Sequence, residues 1–426
     1  MKRLLSVLLW SAIAAAFIGP GTVATAAAAG AGHRYALLWA LLFSTVTTFV
    51  LQEASARLTV VSGRDLASAL RDWAGGRWMV LLMIGGVVIG CAAYEAGNIL
   101  GGVSGVILAL PGSRELWTLA TGAVAALLLL AGSPRATARS LSLLVAVMGV
   151  AFLVAAIRLE PPLGELARGA LLPRLPAGSG LLVLGLIGTT VVPYNLFLGS
   201  GLARGQSLGE LRFGLAVAVG LGGLISMAVL VAGAAVEGHL SFAAVADVLQ
   251  DRLGRGARSL FAWGLFAAGL SSAVTAPLAA AITARGAFGG EGWQERGGRF
   301  RAVWGGVLAV GLLFGLSGIR PVPVILVAQA LNGVLLPLVA IFLLLAVNDR
   351  RLMGERGLNG PVSNLVLALV VAVACVLGVS LLLRAVTSAT ALPAPNEQVI
   401  LIAAGGLLAV VGWPLYRAVR RRRQVT

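Results

Sequence analysis

The chain has 426 residues, 59% hydrophobic and 11% charged, with a mean hydropathy of +0.97 and a formal net charge of +16. Such a composition excludes a water-soluble domain with a polar surface and predicts an all-α integral membrane protein. The positive charge would suggest nucleic acid in a soluble chain, but here it falls mostly in alternate loops, where it signals membrane orientation and no nucleic-acid partner.

The predicted spans cover residues 6–30, 36–61, 78–109, 116–132, 139–158, 180–203, 212–236, 259–285, 302–318, 322–347, 362–386 and 398–418. Each is near the roughly 20 apolar residues that a hydrocarbon core of about 30 Å requires, giving about twelve transmembrane helices. The first run continues through Gly19-Pro20-Gly21 without a clear cleavage site, so it is read as a membrane span of the mature protein and not as a secretory leader. Within it the proline removes a backbone donor and crowds the preceding turn, and the helix is expected to open there.

In the second span Glu53 precedes Arg57 by one turn, which predicts either an ion pair near the cytoplasmic end or a proton relay. The third span carries Glu95 at mid-depth in Ala93-Tyr94-Glu95-Ala96-Gly97-Asn98, a candidate proton carrier or a protonated structural carboxyl. The sixth span is interrupted by Gly188-Thr189-Thr190-Val191-Val192-Pro193-Tyr194-Asn195. In the tenth, Gln329 and Asn332 lie one turn apart, sharing either a cavity face or an interhelical hydrogen bond. The tail arginines Arg417, Arg420, Arg421, Arg422 and Arg423 suit anionic head groups. Cys91 and Cys375 lie in apolar runs without metal-ligand spacing and read as buried hydrophobes, with no disulfide. His33 and His239 fall in or beside external loops.

Irregular backbone at mid-membrane is tolerated only where it lines a cavity or is buried by protein, so the paired breaks of spans 1 and 6 mark a substrate site. They also predict two inverted five-helix repeats, residues 1–160 and 175–347, with two appended helices in 348–426. Counting Lys and Arg by loop places 22 on the side of the N-terminus and 10 on the other, all 32 together, so both termini are expected in the cytoplasm. An Arg-rich, Lys-poor chain without long tails reads as a protein of the bacterial inner membrane. No nucleotide-binding loop, zinc motif or nucleophile elbow is present, and neither an enzyme nor a cofactor is implied.

At the two breaks the sequence resembles the natural resistance-associated macrophage protein (NRAMP) family of proton-coupled divalent-metal transporters, which implies a LeuT-type fold. Further likeness lies in Tyr35-Ala36-Leu37-Leu38-Trp39, in Leu51-Gln52-Glu53-Ala54-Ser55-Ala56-Arg57-Leu58, in Leu336-Pro337-Leu338-Val339 and in Asn348-Asp349-Arg350-Arg351-Leu352-Met353-Gly354. The resemblance implies metal ligands at positions occupied here by Gly19 and Thr22, where the family has Asp and Asn. It implies Met-Pro-His where this chain has Val192-Pro193-Tyr194, and a second histidine at Gly199. The family's third-span Asp-x-x-Glu matches Glu95 and Asn98, and its tenth-span glutamine matches Gln329.

A dehydrated divalent cation in a low-dielectric cavity costs tens of kcal/mol unless ligands replace its water, and this break offers no carboxylate and no sulfur. The positive ends of the two half-helices instead favour an anion. The leading expectation is therefore a secondary-active transporter of a small oxyanion or carboxylate, such as bicarbonate, an organic acid or an amino acid. Its site comprises Gly19, Pro20, Gly21, Thr22, Val192, Pro193, Tyr194, Asn195 and Gln329, with Glu95 and Glu53 as coupling residues and no metal ligands. The first alternative is a divalent cation of the Mg²⁺ or Mn²⁺ class, and the second is a sensor that does not transport. Proton or sodium coupling fits either carrier, and a monomer suffices.

Overall fold

The computed structural model describes residues 10, 18–73, 77–131, 134–294, 297–389 and 396–424, and no strand occurs among them. The helices are α1 (Pro20–His33), α2 (Leu38–Ser62), α3 (Leu66–Trp73), α4 (Arg77–Ala109), α5 (Arg114–Leu130) and α6 (Pro134–Arg158). They continue with α7 (Leu163–Leu171), α8 (Gly180–Thr190), α9 (Pro193–Leu202), α10 (Leu208–Gly233), α11 (Phe242–Leu253) and α12 (Gly256–Phe288). The remainder are α13 (Gly298–Leu316), α14 (Pro321–Ala346), α15 (Arg350–Gly357), α16 (Pro361–Ala389) and α17 (Glu397–Gln424).

Among the described residues, eight stretches are long and apolar enough to cross a membrane: Val80–Ala109, Gly180–Leu202, Leu208–Gly233, Gly256–Phe288, Gly298–Leu316, Pro321–Ala346, Pro361–Ser380 and Gln398–Gln424. The spans expected at 36–61, 116–132 and 139–158 are helical as α2, α5 and α6. The later half of the first span is α1; the earlier half, apart from Trp10 and Ile18, lies outside the described residues. Large apolar side chains such as Leu82, Leu143, Ile157, Leu365 and Ile402 are exposed, an inside-out distribution that suits hydrocarbon surroundings.

Helix starts follow capping chemistry. Ser207 and Glu210 form a capping box at α10, and the hydroxyls of Ser113 and Ser241 cap α5 and α11. Inside the bundle, glycine lets backbones touch. A Cβ on Gly30 of α1 would lie 2.0 Å from the Leu230 carbonyl oxygen of α10, and one on Gly269 of α12 would lie 2.5 Å from Cα of Gly102 in α4. Small residues at crossings give membrane helices the van der Waals contact that replaces the hydrophobic effect between them.

One end of the bundle is tied by charge. Glu53 of α2 accepts from Arg57 at 3.1 Å and pairs with Arg212 of α10 at 2.9 Å. Arg57 also donates to the Gly357 carbonyl and to Asn359 Oδ1, while Asn348 and Asn364 exchange amide bonds. Arg422 pairs with Asp349, and Arg423 reaches Asn348 Oδ1 at 2.8 Å and the Asn359 carbonyl. The tail of α17 is thereby fastened to the segment that follows α14.

Candidate functional site

The start of α1 and the interruption between α8 and α9 arise in one way. A residue before proline is driven out of the α region, and proline then serves as the first residue of a new helix because its missing N–H would be unpaired there. Gly19 is accordingly extended (φ −96°, ψ −176°) ahead of Pro20, and Val192 is extended (φ −93°, ψ 114°) ahead of Pro193. Val191, at φ −92° and ψ 82°, completes the interruption between α8 and α9.

Carbonyls at the second break and in the first turn after it accept hydrogen bonds from neighbouring helices. Tyr94 Oη of α4 donates to the Gly188 carbonyl at 2.9 Å. From α2, Thr48 Oγ1 donates to Thr190 O (3.1 Å), Gln52 Nε2 to Asn195 O (3.0 Å) and Ser55 Oγ to Leu196 O (2.8 Å). Thr59 Oγ1 then meets Ser200 Oγ at 2.6 Å. Thr48, Gln52, Ser55 and Thr59 are spaced by four, three and four, so they form a single stripe along α2.

The two breaks meet. Thr22 Oγ1 lies 2.9 Å from Thr189 Oγ1. Gln329 of α14 lies across Gly21 so closely that a Cβ there would be 1.9 Å from its Nε2, and Pro20 is seated against Gly101 of α4. Tyr94 and Tyr194 meet edge to face with centroids 5.5 Å apart. Thr22, Tyr194, Asn195 and Gln329 are all buried, none more than 4% exposed. Several buried polar atoms here have no hydrogen-bond partner among the described residues: Thr25 Oγ1, Gln52 Oε1, Tyr194 Oη, both amide atoms of Asn195 and Gln329 Oε1. The set is uncharged and dominated by oxygen. No group of three or more His, Cys, Asp or Glu side chains occurs among the described residues.

Gly19, Pro20, Gly21, Thr22, Val192, Pro193, Tyr194, Asn195 and Gln329 thus belong to one region. Glu95 is the next residue after Tyr94 but faces α13, its Cγ against Gly311; Oε2 accepts from Asn98 at 3.2 Å and Oε1 has no partner. Glu53 sits in the ion-paired cluster with Arg57 and Arg212. Asn332 turns toward α4 at Gly90, and His33 lines a separate cavity of about 280 Å³ with Arg34, Glu165 and Arg168. Sequence reasoning missed Thr189, Tyr94 and the α2 stripe, although the 4-3-4 spacing of polar residues in an apolar span was a readable signal.

A family model described as natural resistance-associated macrophage protein-like matches residues 11–384. A divalent metal cation transporter, MntH, of Verminephrobacter eiseniae is 31% identical over 295 residues, covering 64% of this chain and 66% of the relative's length. Among solved structures, a mutant of the Eremococcus coleocola manganese transporter superposes with a TM-score of 0.73 at 21% identity, over 99% of this chain and 95% of that one. The nucleobase-cation-symport-1 family transporter Mhp1, in a closed conformation, superposes with a TM-score of 0.61 at 18% identity, over 98% and 95%.

Proposed function

Since the chain belongs to the natural resistance-associated macrophage protein family, a family of membrane transporters, we propose that it carries a hard divalent cation of the Mn²⁺ or Mg²⁺ class, bound with part of its hydration shell at the two broken helices. The protein is a multi-pass membrane protein of LeuT-type fold. The observation that carries the substrate reading is the set of uncharged, buried oxygen atoms without a partner among the described residues, on Thr25, Gln52, Tyr194, Asn195 and Gln329, in the helices that form and flank the breaks. Oxygen-only donors suit Mg²⁺ and Mn²⁺, and a set without carboxylates leaves water to complete the coordination.

The anion expectation gives way to this reading. The Gln329 amide already occupies the approach to Gly21 on which a backbone-bound anion would depend, and the unpartnered amide oxygens of Gln52, Asn195 and Gln329 can only accept. The MntH relative named above is, by name, a divalent metal cation transporter.

In the proposed cycle, one helix bundle of the paired repeats 1–160 and 175–347 rocks against a scaffold around the broken helices in the cytoplasmic membrane of a bacterium, with both termini inside. Glu95, buried and half-partnered, carries the coupling proton. The test is uptake into proteoliposomes of Mn²⁺ and Mg²⁺ against labelled bicarbonate and carboxylates. Saturable, mutually competitive metal uptake is expected, with Gly19→Asp/Thr22→Asn lowering the Mn²⁺ KM at least about ten-fold by adding a carboxylate. Saturable anion uptake without metal uptake overturns the proposal.

A further inference from the structure

A cavity of about 560 Å³ opens between the last turns of α17 and the loop helix α15, remote from the broken helices. Four guanidiniums line it, those of Arg351, Arg417, Arg421 and Arg422, against the single carboxylate of Asp349. That carboxylate is already engaged: Oδ1 accepts from the Arg351 N–H at 3.0 Å, and Oδ2 pairs with Arg422. Among the described residues no carboxylate lies within ion-pair distance of Arg351, Arg417 or Arg421. Three concentrated positive charges therefore share one concavity without an ion-pair partner among the described residues.

The other wall is aromatic and apolar. Trp413 is 57% exposed, and the Arg417 guanidinium lies 4.7 Å from the centroid of its ring, which orients the charge beside the cavity. Trp413 continues a stripe through Val410 and Ile402, both more than 70% exposed and all within about 80° of one another around α17. The cavity thus lies at the end of a long apolar face, in the geometry of a membrane–water boundary where tryptophan and arginine concentrate.

We infer that this cavity binds the phosphate of an anionic phospholipid, with the acyl chains lying along Ile402, Val410 and Trp413. The shared chemistry is a phosphate held by several guanidiniums. The lipid is favoured over soluble phosphate because the basic pocket runs directly into the apolar stripe. Bound lipid would sit one residue from Asn348, and so against the polar cluster that joins α17 to α2.

The experiment uses the full-length protein, delipidated in neutral detergent and titrated with phosphatidylglycerol, phosphatidylcholine or inorganic phosphate, with binding read by native mass spectrometry. Saturable phosphatidylglycerol binding is expected, with no comparable phosphatidylcholine binding. Arg417→Gln/Arg421→Gln should weaken it about 25-fold, at about five-fold per guanidinium. Arg351→Gln, on a different helix, should weaken it about five-fold and stands in if the double variant does not fold. Arg420→Gln is the control: its guanidinium stacks on Tyr416 at 5.8 Å and does not line the cavity, so binding should stay within two-fold. Equal binding of the two lipids, or an Arg420 variant as impaired as the double variant, overturns the assignment. Complete displacement of phosphatidylglycerol by millimolar inorganic phosphate would show a soluble-anion site and overturn the lipid reading as well.

Discussion

Gly21 and Gln329 are in contact so close that a side chain added at position 21 must displace the Gln329 amide. Gly21→Ala would place a methyl 1.9 Å from Gln329 Nε2 and swing the amide out of the site. Metal uptake is expected to fall at least about ten-fold, and Gly21→Ala/Gln329→Ala to recover part of it, since the clash is then gone while one oxygen donor is still missing. A double variant no better than the single would show that the loss is not steric. At Glu53 the outcome is a stability change. Glu53→Gln leaves the Arg57 guanidinium, whose side chain is 7% exposed, hydrogen-bonded to Gly357 and Asn359 but without its counter-charge, at a cost of about 3 kcal/mol, whereas Arg212→Gln, at 55% exposed, should cost under about 1 kcal/mol. Denaturant midpoints of the two variants in detergent check the contrast. At this scale the sequence made the prolines legible because they act on the chain's own backbone. Thr189 and Tyr94 were not, because a hydroxyl in an apolar span finds its partner only after folding: Thr189 meets Thr22 across 167 residues.

Among the helices, the interrupted sixth span is held by its neighbour as much as by itself. The stripe Thr48, Gln52, Ser55 and Thr59 makes α2 a polar splint along α8 and α9, so the break is positioned by side chains outside it. Helix crossings show the complementary rule. Gly30→Ala would drive a methyl to 2.0 Å from the Leu230 carbonyl oxygen and should lower stability by about 1–3 kcal/mol. Gly220→Ala, with nothing within 4 Å of its Cβ, should be neutral or slightly stabilising because alanine is the better helix former. Thermal unfolding of the pair tests whether the crossing or glycine content itself matters. Long spans were readable because apolar length alone announces them, and α4, α10, α12 and α14 fall where hydropathy places them. The short helices α3, α7, α11 and α15 were not, being too short for a hydropathy window. Leu66 and Leu70 of α3 bury one face of it against the bundle, a fact of tertiary packing.

For the molecule as a whole, an inward proton gradient should accelerate metal uptake in the native protein and have no effect on Glu95→Gln; an undiminished response in the variant removes Glu95 from coupling. The uncharged break has a second consequence, and it concerns membrane voltage. A site lined by carboxylates partly neutralises its cargo on the way in and must return its own negative charge when empty. Here the broken helices contribute amides and hydroxyls, so on the proposed cation reading they would leave the full double charge of the cargo uncompensated and add no charge of their own when empty. At −100 mV inside, each charge is worth about 2.3 kcal/mol, so the two together correspond to an accumulation of about 2,000-fold from voltage alone. Inflow should therefore steepen with an imposed potassium diffusion potential, and in Glu95→Gln, which lacks the coupling carboxyl, resetting of the empty carrier should proceed at the same rate at any potential.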